Sequence, residues 1–149
     1  MVKGAGRQRN VTPEQQLYLT LQGVALRLKE ETEQFLKGHG LTATQFNVLR
    51  ILRGAGEQAL TCGEIAGRLL NKDPDVTRLL ERMEKQQLIV RRRAEHDRRV
   101  LLTSLTPHGR EVLDRLDTPM LELHRQQFQH LPPQRQALLL ELLSEAAPG

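Results

Sequence analysis

Residues 60 to 109 constrain the fold more than any other stretch of the 149-residue chain, because helix signals and strand signals alternate there with almost no room between them. Thr61-Cys62-Gly63-Glu64 has the spacing of a capping box. Its hydroxyl can accept from the amide three residues on, and the carboxylate can reach back to the first amide. Ile65 and Leu69, four apart, give the helix that follows one apolar stripe. Leu70-Asn71-Lys72 is short enough to be the corner of a helix-turn-helix. Asp73-Pro74 then predicts a restarted helix with an acidic cap and a proline at its first position.

In that second helix Val76, Leu79, Leu80 and Met83 recur at i, i+3, i+4 and i+7, so one face turns inward. The other face carries Asp75, Arg78, Arg82 and Lys85, with Thr77 beside them. An arginine in the first turn of such a helix can pair two donors with guanine in the major groove. Asp75 can accept from a cytosine amino group, or favour the positive end of the helix dipole while standing clear of the duplex; the sequence leaves both open. Leu88 to Arg93 and Val100 to Leu105 are β-branched and apolar enough to pair as strands around the loop Arg93-Ala94-Glu95-His96-Asp97-Arg98-Arg99. Helix, turn, helix and charged hairpin in this order predict a winged helix that grips DNA.

The charge distribution agrees. Residues 68 to 99 hold ten Lys and Arg against six Asp and Glu, which accounts for the whole formal charge of +4. A basic stripe of this kind attracts phosphate regardless of sequence and weakens with salt. Aromatic residues make up 3% of the chain, with no tryptophan, which argues against a stacking platform for single strands.

Both flanks read as helical. Thr12-Pro13-Glu14-Gln15 opens one helix with a second capping box. Leu17, Leu21, Val24, Leu28 and Phe35 form one stripe on it, and Leu19 and Leu26 fall on another face, so the helix is expected to be covered from two sides. After Thr106-Pro107 a longer helix carries Val112, Leu113, Leu116, Met120, Leu121 and Leu123, broken near Leu131-Pro132-Pro133. The last helix is apolar at nearly every position from Ala137 to Leu143. The expected explanation is a twofold dimer interface. The expected organisation is one domain over 1–149: a loose basic arm at 1–10, a winged helix-turn-helix at 60–105, and dimerisation helices at 11–38 and 106–147. The fold class is mostly α with a small β wing.

With these residues in hand, the chain resembles the MarR family of winged-helix regulators. Gly40 to Leu49 is similar to that family's second helix, Val76 to Lys85 to its recognition helix, and Asp97-Arg98-Arg99 with Leu105-Thr106-Pro107-His108-Gly109 to its wing signature. The resemblance covers residues 12 to 147 and implies a homodimeric, ligand-responsive repressor or activator. It also implies Arg99 in the minor groove with Asp97 orienting it, and a small anionic or phenolic effector between the dimer helices and the winged domain. Two departures stand out: Gln87 replaces the usual glycine after the recognition helix, and Asp73-Pro74-Asp75 replaces the usual serine or threonine at its entry.

The expected DNA-binding residues are Asp75, Thr77, Arg78, Arg82, Arg98 and Arg99, with Asp97 as wing support, on a near-palindromic double-stranded site. The alternative is a winged-helix module for architectural DNA binding or protein interaction, which predicts weak sequence discrimination. No phosphate-cradling glycine loop, metal motif or nucleophile elbow points to an enzyme, and no cofactor or metal is expected. His39, His96, His108, His124 and His130 form no ligand motif. Cys62 has no second cysteine to pair with and reads as small filler, although some relatives in this family sense oxidants through a thiolate. Arg27 and His39 read as surface residues. No run is long enough to span a membrane, Met1 to Asn10 lacks the apolar core of a secretory signal, and the expected location is the cytoplasm.

Overall fold

A computed structural model describes residues 10–70 and 75–147. Six helices and three short strands follow in the order α1 (Pro13–Lys37), α2 (Ala43–Gly54), β1 (Leu60–Thr61), α3 (Cys62–Arg68), α4 (Val76–Lys85), β2 (Ile89–Arg93), β3 (Leu101–Leu105), α5 (Pro107–Phe128) and α6 (Pro133–Ala146). The helix starts lie where short polar side chains can cap them. Thr12, Thr42 and Thr61 each accept from the amide three residues on, and Gln15, Gln45 and Glu64 close the three capping boxes.

The strands form an antiparallel sheet in the order β1-β3-β2. Sequence patterning anticipates β2 and β3 but not β1, whose two residues are too few to show any period and pair only with Leu102 and Thr103 of the returning strand. One apolar core lies under this sheet. Leu49 and Leu52 of α2, Ile65 of α3, Leu80 and Met83 of α4, Leu60 and Ile89 of the sheet, and Leu113 and Leu116 of α5 are all buried in it.

The turn from α4 into β2 is tight. Gln87 takes a positive φ of 62°, Leu88 N–H donates to Met83 O at 3.1 Å and Gln87 N–H to Glu84 O at 2.9 Å. This is the helix ending that usually takes glycine, and here a side chain occupies the left-handed position. The Thr106 hydroxyl donates to Gln87 O at 2.6 Å, and Thr106 N–H to Leu88 O at 3.2 Å. Gly109 then passes so close to Leu88 that a Cβ would enter the van der Waals shell of its carbonyl oxygen. The sequence Leu105-Thr106-Pro107-His108-Gly109 is therefore a joint that clamps the start of α5 onto the turn that ends α4.

The outer helices are built differently. Among the buried residues α1 contributes only Leu36, and α6 contributes none. Leu17 is 68% exposed and Leu140 68%, and Tyr18, Leu19, Leu26, Leu138 and Leu142 are exposed as well. Among the described residues, the expected covering of α1 from two sides is thus not completed within the single chain. A shaft connects this region to the core: Arg53 at the end of α2 donates to Asp114 Oδ1 at 2.9 Å and to both oxygens of Asp117 at 2.8 and 2.9 Å on α5. Among the described residues no helix is long and apolar enough to cross a membrane.

Candidate nucleic-acid interface

The helix expected to read DNA begins later than the sequence suggests. Its N-cap is Asp75, whose Oδ1 accepts from Arg78 N–H at 3.2 Å, and its first helical residue is Val76. This corrects the placement of the cap at Asp73 and of the first turn at Pro74; both lie outside the described residues, as do Asn71 and Lys72. Asp75 has non-helical backbone angles, φ −131° and ψ 60°, as a cap does, and Val76, Leu79, Leu80 and Met83 that follow are buried.

With the apolar face inside, Thr77, Arg78, Arg82 and Lys85 are exposed on the outer face. The Arg78 guanidinium rests against the cap, Nε to Asp75 Oδ2 at 3.2 Å, yet the side chain is 80% exposed. A contact this open is weak and is readily exchanged for another acceptor.

The wing supplies the second set. β2 and β3 pair from Ile89 with Leu105 out to Arg93 with Leu101, and the hairpin closes through Ala94 N–H to Val100 O at 2.9 Å. At the tip Asp97 holds Arg99 three times: Oδ1 accepts from the Arg99 backbone N–H at 3.0 Å and from Nε at 3.1 Å, and Oδ2 from Nη2 at 3.2 Å. These bonds hold the Asp97 carboxyl below the usual carboxylate range, the guanidinium contributing most. Arg99 is nevertheless 92% exposed. Asp97 thus aims the side chain outward without covering it, and Arg98 beside it is exposed too.

Helix and wing meet. A cleft of about 350 Å³ between them is lined by Cys62, Thr77, Arg91, Arg99, Val100 and Thr103, among others. Thr77 and Arg99 are brought together on its walls, whereas Arg82 and Arg98 stay outside it. Cys62 is half-buried, its Sγ 4.0 Å from the Thr77 hydroxyl. A strut on one side fixes the two elements: Arg91 Nη2 donates to Glu84 Oε1 at 3.1 Å and the Arg91 backbone N–H to Oε2 at 3.2 Å. The Arg91 hydrogen bond lowers the Glu84 pKa. Sequence reasoning passes over Glu84 and Arg91, since a carboxylate on a helix and an arginine on a strand seven residues later show no shared period.

The sequence profile of the MarR family matches residues 39–100, from just after α1 through the tip of the wing. A homoprotocatechuate degradative operon repressor of Escherichia coli is 32% identical over 110 residues, which cover 74% of this chain and 73% of that protein. This chain is a member of the MarR family of winged-helix transcriptional regulators. Among solved MarR structures, a transcription factor from Planctomyces limnophilus aligns with a TM-score of 0.72 and 32% identity over 91% of this chain and 98% of its own. A mutant MarR of Escherichia coli complexed with operator DNA aligns with a TM-score of 0.76 and 25% identity over 89% and 94%.

As a MarR protein the chain keeps Asp97 and Arg99 in mutual contact and Gly109 against Leu88. Its departures are local. Gln87 carries the left-handed turn where the family favours glycine, and at the entry of α4 the Asp75 carboxylate accepts from the Arg78 amide. Of the two polar residues near α1, Arg27 Nε lies 3.5 Å from Glu31 Oε1, and exposed His39 lies 3.0 Å through Nδ1 from Phe35 O.

Proposed function

We propose that this regulator binds near-palindromic double-stranded DNA as a homodimer and acts as a repressor released by a small anionic or phenolic effector. The observation that carries the reading is the division of α4: Val76, Leu79, Leu80 and Met83 buried, Thr77, Arg78 and Arg82 exposed, with Arg99 presented beside them by Asp97. In this reading Thr77 and Arg78 meet base edges in the major groove, and Arg82, nearer the C-terminal end, meets phosphate. Arg98 and Arg99 reach the flanking backbone and minor groove, where A·T-rich sequence narrows the groove and draws in a guanidinium. Asp75 joins the interface chiefly as the cap that sets the helix start.

Two recognition helices on one side of the duplex require half-sites ~10 base pairs apart, centre to centre. The uncovered apolar residues of α1 and α6 support the second copy, with α1 and α5–α6 as the dimerisation helices. Effector release follows the family resemblance, and the site would lie between these helices and the winged domain. A cytoplasmic location is part of the same reading, since the DNA it would bind lies there.

Selection of bound sequences from a random duplex pool, followed by titration of the winner against scrambled DNA, tests the reading. An enriched inverted repeat is expected, and Arg78→Ala should cost about 1–3 kcal/mol on it and relax preference at one position. Salt-sensitive binding without enrichment would instead favour an architectural role.

A further inference from the structure

Arg91, Arg92 and Arg93 end β2. Side chains alternate between the faces of a strand, so Arg91 and Arg93 share one face and Arg92 takes the other. Arg91 is committed inward, to Glu84 of α4. Arg93 is committed outward along the hairpin: its Nη1 donates to the carbonyl oxygen of Arg98 at 2.6 Å.

That carbonyl belongs to the peptide group whose nitrogen is Arg99. The same planar unit therefore has its oxygen held by Arg93 and its N–H held by Asp97 Oδ1 at 3.0 Å. Pinning a peptide plane at both ends fixes the direction in which the next Cα projects its side chain, and both bonds are charge-assisted. Asp97 acts on the guanidinium of Arg99 as well, but its hold on the backbone leaves rotation of the plane about that one bond. The bond from Arg93 removes it.

We propose that Arg93 is a positioning residue of the wing, which clamps the Arg98–Arg99 peptide plane together with Asp97 and so aims Arg99. The role rests on the reading of Arg99 as a minor-groove contact. With Glu84–Arg91 at the middle of β2 and Arg93–Arg98 at its end, the strand carries the orientation of the recognition helix through to the tip of the wing.

The test has two arms. Without DNA, amide exchange at Arg99 and Val100, whose N–H groups donate to Asp97, should quicken severalfold in Arg93→Ala and in the shorter Arg93→Gln, and return toward the starting rate in Arg93→Lys, which keeps a cationic donor of similar reach. Unchanged exchange in Arg93→Ala would overturn the clamp. With DNA, a duplex from the random-pool selection is given A·T-rich or G·C-rich flanks. Arg93→Ala should weaken binding to the A·T-flanked duplex roughly threefold to tenfold, the worth of one hydrogen bond. In an Arg99→Ala background the same change should cost less than about twofold, because the two residues act as one unit. Equal losses in both backgrounds, with the salt slope reduced by about 1, would make Arg93 a phosphate contact and refute positioning. An Arg99→Ala protein that keeps the parent's preference for A·T-rich flanks would overturn the reading of Arg99 itself, a failure told apart from loss of the clamp because exchange is measured on the free protein.

Discussion

The winged lobe and the outer helices use similar amounts of leucine to different ends. In the lobe, α2, α3, α4, the sheet and the first half of α5 enclose their own core, and Leu49, Ile65, Leu80 and Met83 are almost wholly buried. Along α1 and α6, leucines of the same kind stand in solvent, with α6 burying nothing. Composition alone therefore does not tell a completed core from an uncompleted one. The difference lies in whether the chain brings a second apolar surface to the first.

The largest expected effect breaks the comparison from the uncompleted side. Leu140→Glu sets one charge from each copy into the proposed twofold interface, and should weaken the dimer by about 4 kcal/mol, roughly a thousandfold. Light scattering should find monomers, while the thermal stability of the lobe stays put, because α6 is not part of its core. Dimers that persist would move the interface elsewhere.

Gly109→Ala attacks the completed side. The new methyl group meets the Leu88 carbonyl, a backbone atom with nowhere to go, and the joint between α4, β2 and α5 must shift. A loss of about 3 kcal/mol in chemical denaturation is expected, at the upper end for overpacking. A loss under about 1 kcal/mol would mean that α5 can slide without cost.

Between the two regions lies Arg53, whose bonds to Asp114 and Asp117 tie α2 to the shaft of α5. Its hydrogen bond holds Asp117 below the usual carboxylate range. A carboxylate with a depressed folded pKa adds stability above its unfolded value of about 3.9, and loses it as the pH falls through the lower folded value. Arg53→Ala should therefore cost about 1 kcal/mol at neutral pH, an amount already discounted for solvent exposure, and flatten the decline of stability below about pH 4. An acid limb identical to that of the parent would remove the bridge from the account. The smallest change should be a gain: Gln87→Gly relieves a left-handed side-chain position and is expected to stabilise by about 0.5 kcal/mol, since the freer unfolded chain offsets part of the relief.

Much of the lobe was legible in the sequence, and the reasons are local. Thr61 with Glu64 and Thr12 with Gln15 cap their helices as their spacing requires, and the stripe from Val76 to Met83 is buried as its period requires. What escaped depends on neighbours distant in the chain. β1 exists only because β3 returns beside it, a pairing that no local pattern reports. The struts Glu84–Arg91 and Arg93–Arg98 follow no period, so charge counting recorded those arginines merely as basic surface. The need for a face to cover α1 and α6 follows from excess hydrophobicity, and among the described residues most of their leucines remain exposed.

An unclosed apolar surface on α1 and α6 also changes how such a regulator would count itself. On the dimer reading, a lone chain carries one half of a binding unit and a patch of leucine that water disfavours. Association therefore stabilises the pair by mass action. Below the dimer dissociation constant, the number of DNA-competent units rises with the square of the chain concentration. A modest change in synthesis or degradation would then be felt at the operator as a larger one, and the occupied promoter would open over a narrower range of protein level than a single-chain reader could achieve.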